Sequence, residues 1–178
     1  MIAGVGDHPI GEKPAAVLEA AGLRAVFVRR GDRFAHRIEV RDEQSQAWGA
    51  ALESREGTDE EPWPPSPPFQ QLHVEHRKEG DVVLLVGMAG RSHWSAAVDV
   101  SPDGRALRFD VAVRVQSSDE SLGSGYDVMD ARAAARIGAR AALGVADGVN
   151  FRFEPEPRDG TLPATICWRY SLTSIEAA

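Results

Sequence analysis

Residues 69–115 read FQQLHVEHRKEGDVVLLVGMAGRSHWSAAVDVSPDGRALRFDVAVRV, and this stretch decides the fold class. It divides into four runs: Phe69 to Arg77, Val82 to Met88, Ser92 to Val100 and Leu107 to Val115. The groups between them, Lys78-Glu79-Gly80-Asp81, Ala89-Gly90-Arg91 and Ser101-Pro102-Asp103-Gly104, are turn formers. In the last run Leu107, Phe109, Val111, Val113 and Val115 alternate with Arg108, Asp110, Ala112 and Arg114, the period of a half-buried strand. Val82 to Met88 is apolar at both parities, which predicts a strand covered on both faces. Four such strands in series make an antiparallel meander.

Outward from this centre, Leu23 to Arg30 and Arg33 to Arg41 flank Gly31-Asp32 and predict a first hairpin. Val149 to Glu154 and Ala164 to Ser174 predict a last one, with Ile166, Trp168, Tyr170 and Leu172 on one face. Two segments read as helical. Pro14 to Ala21 places Val17, Leu18 and Ala21 at helical spacing before Gly22; Asp130 to Leu143 is rich in Ala and Arg, with Asp130 as N-cap and Gly144 as stop. The expected architecture is mainly β, an antiparallel meander closing as a barrel or a two-layer sandwich of about eight strands with one or two helices.

At 178 residues, 43% of them apolar and 26% charged, the chain suits one globular domain. Residues 42–68 read as a connector within it: Glu53, Glu56, Asp59, Glu60 and Glu61 form an acidic patch, and five prolines follow in 62–68. Proline density favours an extended strap pinned by Trp63, or a ligand for a proline-binding partner through Pro62-x-x-Pro65 and Pro65-x-x-Pro68. A net charge of −7 disfavours nucleic acid and anionic membranes. The longest apolar run falls far short of the ~20 residues of a spanning helix. With no secretion signal at the start, the expected setting is soluble and cytoplasmic. The lone Cys167 excludes an internal disulfide, and no Cys/His spacing marks a zinc site. No cofactor is expected.

Candidate chemistry clusters at the polar end of the meander. The glycines of Gly87-Met88-Ala89-Gly90-Arg91-Ser92 lack the spacing, the Lys and the following helix of a phosphate-binding loop, so they read as a tight turn. If Ser101 pairs with Gly104, facing residues sum to 205. Trp94 then faces Val111, all large apolar groups share one face, and Ser95 faces Asp110 with His93 beside it. A Ser-His-Asp set of this kind carries nucleophilic catalysis where a nucleophile elbow and oxyanion donors accompany it, and neither is legible here. His73, Glu75, His93 and Asp110 on the same face would suit a divalent ion. Arg132, Arg136 and Arg140 would line one face of the second helix. His36, on an apolar face, reads as a core histidine, and Cys167 as a partly exposed thiol without a nearby base.

The segments Trp63-Pro64-Pro65-Ser66-Pro67-Pro68-Phe69-Gln70-Gln71-Leu72-His73-Val74-Glu75 and Gly87-Met88-Ala89-Gly90-Arg91-Ser92-His93-Trp94-Ser95 resemble stretches of uncharacterised bacterial proteins. That resemblance implies no activity. The expected function is a non-catalytic binding or interaction module, with a protein or small-molecule site at Arg91, His93, Ser95 and Asp110. The alternatives are a small enzyme, hydrolytic or metal-dependent, on the same face, and a structural subunit docking through the proline-rich strap.

Overall fold

The computed structural model describes residues 13–58, 60–61, 63–116, 121–146, 150–157 and 160–175. The chain opens with β1 (Ala16–Ala20), β2 (Leu23–Arg30), β3 (Arg33–Arg41) and β4 (Trp48–Ser54), paired antiparallel in series. Residues 55–68 then cross to a second meander, β5 (Phe69–Arg77), β6 (Gly80–Ala89), β7 (Ser92–Val100) and β8 (Ala106–Val115). The remainder alternates between the layers: β9 (Ser124–Val128), a single helical turn α1 (Ala131–Ala134), β10 (Ile137–Ala141), β11 (Leu143–Ala146), β12 (Phe151–Glu154) and β13 (Ala164–Ser174).

Two open sheets result. Sheet A has the order β1-β2-β3-β4-β9-β12-β11, and sheet B the order β10-β13-β8-β7-β6-β5. One buried cluster draws Phe27, Ile38, Leu52 and Phe153 from the first and Val83, Trp94, Phe109 and Leu172 from the second. The architecture is therefore a sandwich. The barrel alternative is excluded, because both sheets keep free edges, and the described strands number thirteen rather than about eight.

Both helical expectations are corrected. Residues 16–20 form a strand in which Leu18 and Ala20 are buried and Val17 is exposed; alternation outweighs the helical spacing because the segment pairs with β2. Asp130 is an N-cap, its carboxylate accepting the Arg132 and Ala133 amides, but the helix lasts one turn. Ile137–Ala141 then pairs with β13 and buries Ile137. Helix propensity is worth only tenths of a kcal/mol per residue, less than an apolar side chain gains on burial. Arg132, Arg136 and Arg140 consequently share no helix face, and Arg136 pairs with Glu43.

Residues 42–68 are not purely a connector, since β4 lies inside them. The strap proper buries Pro64, Ser66, Pro67 and Pro68, with Trp63 half-buried against the core. Ser66 Oγ donates to the Gly125 carbonyl at 2.7 Å and accepts the Gly125 amide, fastening the strap to β9. Its last carbonyl, at Pro68, lies where a side chain on Gly87 would have to be: an added Cβ would sit 1.8 Å from that oxygen. A bulge at Gln70 accompanies this approach, and the Gln70 amide bonds the backbone of Met88 in both directions.

Val82 to Met88 is covered on one face only along part of its length. Val83 and Leu85 are buried, whereas Val86 and Met88 are each 46% exposed on the outer face of sheet B.

Candidate functional site

The central hairpin turns as its sequence suggests, with the Gly104 amide bonded to the Ser101 carbonyl, but the strands close one step further out. Ser101 pairs with Ala106: its amide donates to the Ala106 carbonyl and its Oγ accepts the Ala106 amide. Facing residues therefore sum to 207, and Trp94 faces Val113, Ser95 faces Ala112 and Ala97 faces Asp110. A shift of two residues keeps every side chain on its expected face while moving its neighbours.

This register separates the predicted site. Arg91 lies at the exposed tip of the β6–β7 turn, beside Gly90 at φ +56°. His93 faces Met88 and Arg114, and Ser95 faces Val86 and Ala112. Asp110 is four residues further along the ladder from the position opposite His93, and its carboxylate accepts Arg169 Nε at 2.7 Å. The Ser-His-Asp set is thus not assembled. The metal alternative fails for a related reason: His73, Leu84, Ala97 and Asp110 face one another in a row, so two strands stand between His73 and Asp110. Among the described residues, no group of three or more His, Cys, Asp or Glu side chains is placed to hold a metal ion.

Asp110 instead lies in a groove of 1160 Å³ on the outer face of sheet B. Its floor carries two cross-strand ion pairs, Asp110–Arg169 and the two-pronged Asp99–Arg108. Its walls come from Arg140–Ala142 at the end of β10, from Glu154 at the end of β12 and from Glu156 and Pro157 after it. Among the described residues, neither Arg140 nor Glu156 makes an ion pair. The exposed Cys167 also lines the groove, as its alternation with Arg169 predicts.

Beneath the groove a chain of polar groups runs through the core. Trp168 Nε1 donates to Ser124 Oγ, Ser124 bonds the Tyr170 hydroxyl, Tyr170 lies 2.6 Å from the Tyr126 hydroxyl, and Tyr126 lies 2.8 Å from His36 Nε2. With the Trp168 N–H on its oxygen, Ser124 has its own proton for Tyr170, and one consistent order then runs from Tyr170 to Tyr126 and from Tyr126 to His36, in which each hydroxyl gives one proton and takes one. That direction needs a neutral imidazole, and burial lowers the His36 pKa to about 4. Burial likewise raises both tyrosine pKa values. The rings of Phe109, Tyr170 and Phe153 stack beside this chain, at 4.6 and 4.2 Å between centroids. His36 is the core histidine its sequence position suggests.

At the far side, the His36 amide donates to Ser54 Oγ, and Ser54 donates to Glu56 Oε1 at 2.7 Å. Glu56 sits in a 550 Å³ cleft with Arg30, Arg33 and Arg37. Its Oε2 is buried without a hydrogen bond, so burial raises the carboxyl to about 7 against the pull of Ser54 and Arg33. In the sequence Glu56 is one of five acids in the patch from Glu53 to Glu61. Tyr126 lies in Ser124-Gly125-Tyr126, a stretch whose two small residues hide its strand character, whereas Tyr170 was legible from the alternation of β13.

Comparison with protein-family models, with curated proteins and with solved structures finds no match for this chain. No helix among the described residues is long and apolar enough to cross a membrane.

Proposed function

We propose that this chain is a non-catalytic binding module whose ligand occupies the groove on the outer face of sheet B. The observation that carries the reading is the groove's division of labour. Its floor charges are neutralised in pairs, while Arg140 and Glu156 on its walls make no ion pair among the described residues. Concave sites with a few convergent polar groups are the usual form of a binding site. Among the described lining residues no histidine stands beside Cys167 or Ser171, which favours binding over nucleophilic chemistry. Asp110 is the one member of the sequence-based site that belongs to this groove; Arg91, His93 and Ser95 do not line it.

The test is a titration of isotope-labelled protein with small carboxylates, amines and zwitterions, followed by amide chemical shifts. Shifts confined to the amides of 140–142, Glu154, Glu156 and 167–171 are expected. If the fragments bind elsewhere, or leave these amides unmoved, the groove is not the binding site.

A further inference from the structure

The groove follows a gap in sheet B. Strand β13 pairs with β8 along Ala164–Thr173, but on its other side β10 covers only Tyr170–Ser174, ending where Ala141 faces Tyr170. Among the described residues, no strand pairs with Ile166–Arg169 on that side, and Cys167, Trp168 and Arg169 line the groove there. The chain leaves this line at Ala142 and enters sheet A as β11. The result, among the described residues, is an unpaired stretch of β13 in line with β10.

We propose that the groove takes an extended polypeptide segment of a partner protein, which adds to sheet B alongside Ile166–Arg169 and carries a basic side chain to Glu154 and Glu156. The inference rests on the groove being the binding site and names its occupant. Backbone donors and acceptors at a sheet edge are matched most fully by another backbone, the basis of strand addition. Charge supplies the second argument. Glu156 has no ion pair among the described residues, and Glu154 shares only Arg152, so the wall facing the gap is acidic. At the β10 end, Arg140 favours an acidic residue on the outward face. Strand β13 is also held rigidly from behind, because Trp168 and Tyr170 are bonded to β9. An added strand therefore meets an edge that is already ordered, which lowers the ordering cost of binding.

The experiment selects a displayed library of random decapeptides on the full chain and then measures amide exchange with a synthetic selected peptide. The expected result is enrichment of peptides containing Lys or Arg, with alternate amides within 166–169 slowed at least tenfold. Affinity should fall at least tenfold on Glu156→Arg. Alternate protection is the signature of backbone pairing, which contacts through side chains alone do not produce. Peptides that bind without slowing these amides overturn strand addition. No enrichment, with small fragments still shifting the groove amides, also overturns it and leaves the binding site in place. Protection of the same amides that grows with protein concentration in the absence of peptide assigns the edge to a second copy and overturns the proposal.

Discussion

The hydroxyl of Tyr126 in sheet A lies 2.6 Å from that of Tyr170 in sheet B, and this contact is a polar bridge between the two layers. The rings packed around it are apolar, so each hydroxyl finds its other hydrogen bond only along the same chain, Tyr126 at His36 and Tyr170 at Ser124. Tyr126→Phe would leave the His36 Nε2 acceptor and the Tyr170 donor without their shared partner. Unmatched buried groups of this kind cost about 1–3 kcal/mol each. The expected loss is about 2–4 kcal/mol in urea unfolding, and a double-mutant cycle with Tyr170→Phe should show strong coupling. Additive losses would mean that the bridge is not formed.

Glu56 and His36 oppose each other in acid. The Glu56 carboxyl is raised from 4.5 to about 7, so its stabilising contribution is complete below 4.5 and is lost as pH climbs through 7. His36 is lowered from 6.5 to about 4, so its contribution is complete above 6.5 and is lost as pH falls through 4. Glu56→Gln removes the first dependence. The variant should gain on the order of 2–3 kcal/mol over the wild type at pH 8, and its stability should rise with pH between 4 and 6.5. Unfolding curves at several pH values check both; equal slopes in variant and wild type would refute the buried carboxyl.

His36→Gln is the reciprocal case. It keeps an acceptor for Tyr126 but cannot charge. Its stability should fall as pH rises from 4.5 to 7, because Glu56 then acts alone. Urea unfolding of the variant at pH 4.5 and pH 7 checks it, and a variant equally stable at both would refute the raised Glu56 carboxyl.

Gly87→Ala places a methyl group where the Pro68 carbonyl lies 1.8 Å away, and backbone cannot yield as a flexible side chain can. The strap would have to lift from β6, at a cost of about 3 kcal/mol or more. Gly49→Ala, with no atom within 4 Å of the added group, is the matched control and should change stability by less than about 0.5 kcal/mol. A Gly87→Ala protein as stable as the control would show that the strap is loosely seated.

The parts legible in the sequence were those carried by alternation. The bounds of β5, β7 and β13 follow from runs such as Ile166, Trp168, Tyr170 and Leu172, and the first hairpin from Phe34, His36, Ile38 and Val40. Strands β4 and β9 were not legible. In β4 a bulge puts Ala51 and Leu52 inside together, and β9 is five residues long with a glycine at its second position. The groove was not legible either, since its walls come from β10 and the residues after β12, far apart in the chain and set side by side only by folding.

Sequence alone therefore determined which side chains of β7, β8 and β13 point inward, and with them the antiparallel β class and the order of the central meander. Tertiary structure decided the register of β7 on β8, because side-chain direction repeats every two residues and an even shift leaves it unchanged. The bonds from Ser101 to Ala106 settled that shift, and with it the separation of His93 and Ser95 from Asp110. Tertiary structure also turned Ile137–Ala141 from helix to strand, since a weak local preference yields to a sheet edge that buries Ile137. It set Glu56 apart from its acidic neighbours, because the charge of a carboxyl depends on the water and partners around it, which the order of residues does not contain.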